Sequence, residues 1–246
     1  AISFVKQYYG VGYPEAVTML LGNDLGGAYP TAREKTPEPP KPFKLPPANQ
    51  TMRRVYAYLL QKRGIDRDVL NAFVRKKLIY ESCEKSRDGT REYHNAVFVG
   101  VDEHGVPRHG HKRGLYTVGK SYRGNIEGSD PKHSFHCFGG DDTLYVFEAP
   151  IDLLSYISLY PENWEAHNYV SCCGVSAIPV MEALRQLPQV AQVYLCLDND
   201  EAGHAACARM AELLKDQNLS AVRLVPQRKD WNDDLTLGGE NAQGLT

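Results

Sequence analysis

From Asp141 onward the chain alternates short apolar runs with longer amphipathic stretches. TLYVFE is followed by a helix from Pro150 to Tyr160, NYVSCC by a helix from about Ser176 to Leu187, and VAQVYLCL by a helix from Glu201 to about Lys215; SAVRLVP and a short helix near Trp231 close the series. Strict alternation leaves few topologies, because parallel strands need crossover connections and those connections are right-handed. The fold class expected is α/β, a parallel sheet flanked by helices. In such sheets ligands gather beyond the carboxyl ends of the strands.

Two of these strands end in acid. TLYVFE closes on Glu148, and VYLCLD closes on Asp198 with Asp200 two residues on. With the strands parallel and close, the three carboxylates meet at one rim of the sheet, where like charges oppose ionisation unless cations neutralise them. A donor set made only of oxygen suits a hard ion such as Mg²⁺. A structural purpose fits the same residues: D-N-D reads as a helix N-cap and Glu as a favourable first-turn charge. Residue type alone leaves both readings open.

The chain ahead of this region is different in kind. Residues 1–130 hold 21 Lys and Arg against 14 Asp and Glu, whereas the remainder holds 7 against 16, so a basic half precedes an acidic one. Such asymmetry fits one surface for a polyanion and another for cations. Residues 1–21 read as a helix end, a GVGYP turn and a short helix from Pro14, with an opening Ala that falls in mid-helix, as in a piece of something longer. Residues 22–50 carry seven of the fifteen prolines and read as an extended, semi-rigid linker. Two helices are expected next, one over Thr51 to Arg63 and one after Asp66, then short strands broken by turn signals from Ile79 to about Thr117. No apolar run reaches membrane-spanning length and no secretory signal opens the chain, so a cytoplasmic protein is expected. The six cysteines show no paired spacing and read as reduced thiols.

The segments FEAPIDLLSY, NYVSCCGVSA and VYLCLDNDEAGHAA, in that order and spacing, resemble a TOPRIM domain, the catalytic module shared by bacterial primases, topoisomerases and some nucleases. Its motif is a Glu after the first strand and Asp-x-Asp after a later one, here Glu148, Asp198 and Asp200. YLLQKRGIDRDVLNAF, NAVFVGVDEHGVPRHGHKRG and RKDWNDDL resemble stretches of the bacterial DnaG-type primase core, and the first 21 residues resemble the tail of the zinc-binding domain that precedes it. Ala149 departs from the family's Glu-Gly-x-x-Asp, while Asp152 is kept. The resemblance implies four parts: the zinc-domain tail (1–21, with any Zn²⁺ held upstream), the linker (22–50), a basic α+β primase-like subdomain (51–140) and the TOPRIM domain (141–246).

It also implies roles. Glu148, Asp198 and Asp200 would be catalytic and, with Asp230, would hold Mg²⁺ or Mn²⁺; Asp152, on the same helix face as Glu148, would orient it. Arg113, Lys120, Lys132 and Lys229 would meet nucleic acid or nucleotide phosphates, and Gly174 would let backbone approach a phosphate at a helix N-terminus. The activity implied is nucleotidyl transfer on single-stranded DNA with NTPs as substrates, in replication of a host or a mobile element, alongside a replicative helicase or other replication proteins. A metal-dependent nuclease and a non-catalytic nucleic-acid-binding module are the alternatives. His109, His111, His133, His136 and Cys137 lack the paired spacing of a closed zinc site, and no phosphate-binding GxxxxGK[ST] loop occurs.

Overall fold

In the computed structural model, residues 2–9, 12, 13, 17, 19, 20, 42–86, 88–116 and 121–238 are described. The chain divides into two compact units, Ala1–Pro40 and Lys41–Thr246. The first contains helix α1 (Ile2–Tyr9), on which the exposed Phe4 and Tyr8 rings stack at 5.4 Å. Of the helix expected from Pro14, residues 17, 19 and 20 are described and are helical, while its other residues and most of the proline-rich linker lie outside the described residues.

The second unit opens with the end of that linker, which is not a free spacer. Tyr80 donates its hydroxyl to the Pro46 carbonyl at 2.7 Å, Cys83 N–H donates to Pro47, and Ala48 bridges to Ser82. Helix α2 runs through Arg53–Tyr56 and continues with π-type turns over Ala57–Lys62. Helix α3 (Arg67–Arg75) begins on an Asp66 cap, whose carboxylate accepts from the Asp68 and Val69 amides. An antiparallel sheet follows in the order β1-β2-β3-β4, from β1 (Ile79–Lys85), β2 (Glu92–Val101), β3 (Pro107–Gly114) and β4 (Arg123–Asn125).

The alternating segment forms a second sheet. Its strands are β5 (His136–Phe138), β6 (Thr143–Phe147), β7 (Asn168–Ser171), β8 (Gln192–Leu195) and β9 (Ser220–Arg223), in the order β5-β7-β6-β8-β9. Four strands are parallel, joined through helices α4 (Pro150–Leu159), α5 (Ile178–Gln186) and α6 (Glu201–Lys215); α7 (Trp231–Gly238) ends the described chain. The exception is β5, which precedes the alternating segment and pairs antiparallel with β7 at the edge. A three-residue strand carries too little pattern to be read from sequence.

One apolar core fastens the two sheets together. Leu59, Phe73 and Phe98 from the first part share it with Phe147, Leu154 and Trp231 from the second. A second cluster, including Val146, Val193, Leu197 and Met210, fills the other face of the parallel sheet. All six cysteines are free thiols. Among the described residues no helix is long and apolar enough to cross a membrane.

Candidate active site

The acids meet because β6 and β8 are neighbours. Their parallel register pairs Val146 with Leu195, so Glu148 falls level with Leu197, one residue short of Asp198. The chain then needs room to turn into α6, and Gly203 supplies it: a Cβ there would stand 2.1 Å from the Asp198 carbonyl oxygen. Arg223 on β9 donates to that same carbonyl and to the Gly203 carbonyl, both at 3.1 Å. Asp200 is the N-cap of α6, accepting from Gly203 N–H at 2.9 Å. The capping reading is therefore observed for Asp200, and a capping carboxylate keeps a second oxygen for another partner.

Asp230 is arranged alike, its carboxylate accepting from the Asp233 amide at 2.7 Å where α7 begins. Trp231 anchors that helix by donating its indole N–H to the Cys196 carbonyl. Ala149, where the family pattern has Gly, sits in extended backbone at φ −127°, a conformation open to any residue.

The electrostatics record the crowding. Burial and then the Glu148, Asp230 and Asp200 charges raise the Asp198 pKa to about 7. Burial and then Asp200 raise that of Glu148, while Arg123 and Lys229 pull it back. Asp152, fully enclosed on α4, is pushed well above the carboxylate range by desolvation and then by Asp198. Two carboxylate oxygens, Glu148 Oε2 and Asp198 Oδ1, are buried yet accept no hydrogen bond. Buried acceptors normally have a partner, so both oxygens are suited to a cation. Among the described residues no three of these carboxylates offer oxygens all within 4.8 Å of one another. That spacing is compatible with Mg²⁺, which keeps several waters and takes only one or two carboxylates besides phosphate.

A basic wall faces the acids across one cleft, lined by Arg63, Arg113, Arg123 and Lys229 together with Glu148, Asp152, Asp198 and Asp230. Arg113 on β3 and Arg123 on β4 are direct cross-strand partners, a like-charge pairing that opposes sheet formation. Arg63 and Arg113 both donate through Nε to the Tyr58 hydroxyl, at 2.8 and 3.2 Å. Three guanidiniums held in one cleft form a ready site for a polyanion such as a triphosphate. Asn232, buried at the start of α7, ties the walls together: it accepts from Arg63 and donates to the Arg63 carbonyl and Ser155.

Three expectations place differently. Lys132 is exposed on a 3-10 turn (Pro131–His133) and lines a separate groove with Asp102, Glu103 and Glu182, because that turn packs toward α5 rather than toward the cleft. Gly174 lies near Glu148 and Arg123 with φ +146°, but four residues ahead of α5, and its N–H is engaged by the Glu148 carbonyl at 3.0 Å. It positions Glu148 instead of presenting an amide to a phosphate. Cys172 and Cys173 follow β7 rather than lying in it, and Cys173 turns the chain at φ +50°. Lys120 falls outside the described residues.

Sequence reasoning missed Arg63, Arg123 and Asn232. RGN is too short a strand to announce itself, and Arg63 looked only like a helix end. His111, weighed earlier as a zinc ligand, instead lines the cleft with Nδ1 2.7 Å from Asn125 Oδ1, and burial holds its pKa below the usual value.

Comparison with known proteins agrees with this architecture. Residues 145–235 match the Toprim-like family, and residues 57–147 match a family described as a protein of unknown function, DUF3991. An uncharacterized protein of Bacillus anthracis, pXO2-78, is 27% identical over 257 residues, spanning 95% of this chain and 72% of that protein. An uncharacterized MG010 homolog of Mycoplasma pneumoniae is 30% identical over 102 residues, 41% of this chain and 46% of its own length. Among solved structures, the primase fragment of the bacteriophage T7 primase-helicase superposes with a TM-score of 0.55 at 22% identity, covering 75% of this chain and 71% of that one. The E. coli primase catalytic core gives 0.53 at 17% identity, covering 78% and 70%. At these identities the likeness is one of fold.

Proposed function

We propose that this chain, a TOPRIM protein built on the fold of a primase core, performs metal-dependent nucleotidyl transfer on single-stranded DNA with NTPs as substrates. The observation that carries the reading is the pair of buried, partnerless oxygens on Glu148 and Asp198, set opposite three arginines. Glu148, Asp198, Asp200 and Asp230 would hold Mg²⁺ or Mn²⁺, which when bound neutralises charge developing on the transferred phosphorus.

The remaining roles belong to the chain itself. Arg63, Arg113 and Arg123 receive the triphosphate or the template backbone, the bidentate fork of each fixing its orientation. Lys229 lies beside Glu148 and Asp198, its charge felt by both, and adds a point contact to phosphate. Asp152 is a positioning residue: its carboxyl accepts from the Asn232 amide at 3.4 Å and backs Asp198 from inside α4. With its pKa raised to about 7, Asp198 is suited to hold or release a proton near neutral pH, and burial shifts Glu148 in the same direction. The cytoplasm, a mobile-element setting and a replicative helicase as partner belong to the same reading.

The test has two stages. Mn²⁺ titration followed by electron paramagnetic resonance should show binding that Asp198→Asn removes. Incubation with labelled NTPs, a single-stranded template and Mg²⁺ should yield oligoribonucleotides from the wild-type chain and none from Asp198→Asn. Shortened DNA without NTPs would assign the cleft to a nuclease instead, and salt-sensitive DNA binding that survives amide replacement of Glu148, Asp198 and Asp200 together would make it a binding module.

A further inference from the structure

The first sheet carries a second set of donors, remote in chemistry from the acid cleft. Cys83 on β1 is the direct cross-strand partner of His94 on β2, and Glu92, two residues before His94, projects from the same face. The Cys83 Sγ lies 3.7 Å from His94 Nε2, and Glu92 Oε2 lies 3.7 Å from that same nitrogen. All three donor atoms fall within 4.8 Å of one another, the one such group among the described residues. Around a tetrahedral zinc ion, bond lengths of about 2.0–2.3 Å put neighbouring ligand atoms roughly 3.3–3.6 Å apart. The two distances to His94 Nε2 need to contract by only a few tenths of an ångström, and the exposed Glu92 side chain is free to close the third.

The histidine is already oriented for the task. Its other nitrogen, Nδ1, lies 2.9 Å from Glu81 Oε1. Glu81 is buried at the centre of β1 and also accepts from the Asn49 side chain and from the Arg54 and Val55 amides. An acceptor so fully supplied with donors is a carboxylate, so the neutral imidazole keeps its proton on Nδ1. Nε2 then turns its lone pair toward Cys83 and Glu92. A carboxylate behind a histidine, fixing tautomer and ring angle, is how metal-ligating histidines are commonly held. Glu92 is exposed, which gives an ion a route in from solvent.

We infer that Cys83, Glu92 and His94 form a metal site of the zinc class, with three protein ligands, an open fourth position and Glu81 orienting the histidine. The donor set of one thiolate, one imidazole and one carboxylate selects zinc or a close substitute over Mg²⁺, which takes oxygen alone. None of the three residues lines the cleft around Glu148, so the inference stands apart from the proposed nucleotidyl transfer.

Cobalt is the probe that separates the sites. The reduced full chain titrated with Co²⁺ should develop visible d–d absorption and a near-ultraviolet thiolate-to-cobalt band whose intensity corresponds to one thiolate-bound ion, whatever further Co²⁺ the acid cleft takes up. Cys83→Ser should abolish that band, His94→Gln should weaken binding at least ~10-fold, and Asp198→Asn should leave the band unchanged. A second measurement needs no variant: alkylation rates of the six cysteines, read by peptide mapping with Zn²⁺ or with chelator, should show Cys83 alone protected by zinc. No thiolate band in the wild-type chain, a band that survives Cys83→Ser, or Cys83 alkylation equally fast with and without zinc would each overturn the site.

Discussion

The two walls of the cleft are built by different rules. On the acidic wall every candidate carboxylate stands just past a strand or at a helix start: Glu148 after β6, Asp198 and Asp200 after β8, and Asp230 at the head of α7. Place in the chain therefore fixes place in space. On the basic wall Arg63, Arg113 and Arg123 come from a helix end and two strands, brought together by cross-strand pairing and one shared tyrosine hydroxyl. What the walls have in common is held repulsion, acids against acids and arginine against arginine. The walls offset each other in part, and a ligand of opposite charge relieves each further, which is why binding and stability should respond in opposite directions to the same substitution.

Asp198→Asn gives the largest effect and tests that opposition directly. Removing the charge while keeping the shape should lower oligonucleotide synthesis on the order of 10³-fold, the scale of losing one preorganised electrostatic contact. The same variant should melt at a higher temperature than wild type in metal-free buffer near neutral pH, since the charge it removes is crowded by Glu148 and Asp230. A variant that lost activity and stability together would break the comparison, because the acid would then be a structural prop.

Gly203→Ala strikes the scaffold of the acidic wall without touching a carboxylate. The added Cβ meets the Asp198 carbonyl at 2.1 Å, so α6 must shift, at a cost of about 1–3 kcal/mol, the range for overpacking a well-fitted contact. Chemical denaturation should report the loss, and Mn²⁺ affinity should fall with it, as Asp198 and Asp200 flank the displaced turn.

The pH dependence follows from the same crowding. Asp198 has a folded-state pKa of about 7, above the ~4 of an unfolded aspartate. Its ionisation therefore opposes folding: the penalty is absent below about pH 4, grows as pH rises toward 7 and is complete above it. Thermal melting of the metal-free chain should fall across that window, and saturating Mg²⁺ or the Asp198→Asn change should flatten the dependence. Metal affinity should rise over the same range as the proton leaves.

The acidic wall was legible in the sequence for a physical reason. Apolar strands of known length, each ending in an acid, fix both direction and register, so Glu148, Asp198 and Asp200 could be assigned to one rim before any coordinates. The fold class was legible on the same grounds, apart from the antiparallel edge strand β5, whose three residues carry no period. The basic wall was legible only in part: the resemblance pointed to Arg113 and Lys229, which do line the cleft, whereas β4 is as short as β5 and Arg123 enters the cleft through its pairing with Arg113. Asn232 looked like one polar residue among several in RKDWNDDL, yet its bonds to Arg63 and Ser155 join the walls. Residues that act across two elements leave no trace in either element's own pattern.

Arg123→Ala sharpens the contrast at smaller amplitude. Removing one member of an opposed arginine pair should weaken nucleotide or DNA binding roughly 10-fold and lower the salt dependence by about one phosphate contact. Stability should stay within about 0.5 kcal/mol or improve slightly, as for an exposed residue relieved of a like-charged neighbour.

Lys132→Ala sets the lower limit. Its residue type and its place in the resemblance suggested a contact with nucleic acid, but the structure puts it on an exposed turn in a groove whose other walls include Asp102, Glu103 and Glu182. Asp102 is paired there with Arg108, and Glu103 and Glu182 with Arg185, so the groove presents balanced charge and not the concentrated positive field of the cleft. Filter-binding and synthesis assays should therefore show less than about a twofold change, the level expected where no phosphate contact is lost. If Lys132→Ala instead weakened binding as strongly as Arg123→Ala, the nucleic acid would have to run beyond the cleft and past the Pro131–His133 turn, and the division between an acidic and a basic wall would describe only the part of the path nearest the metal.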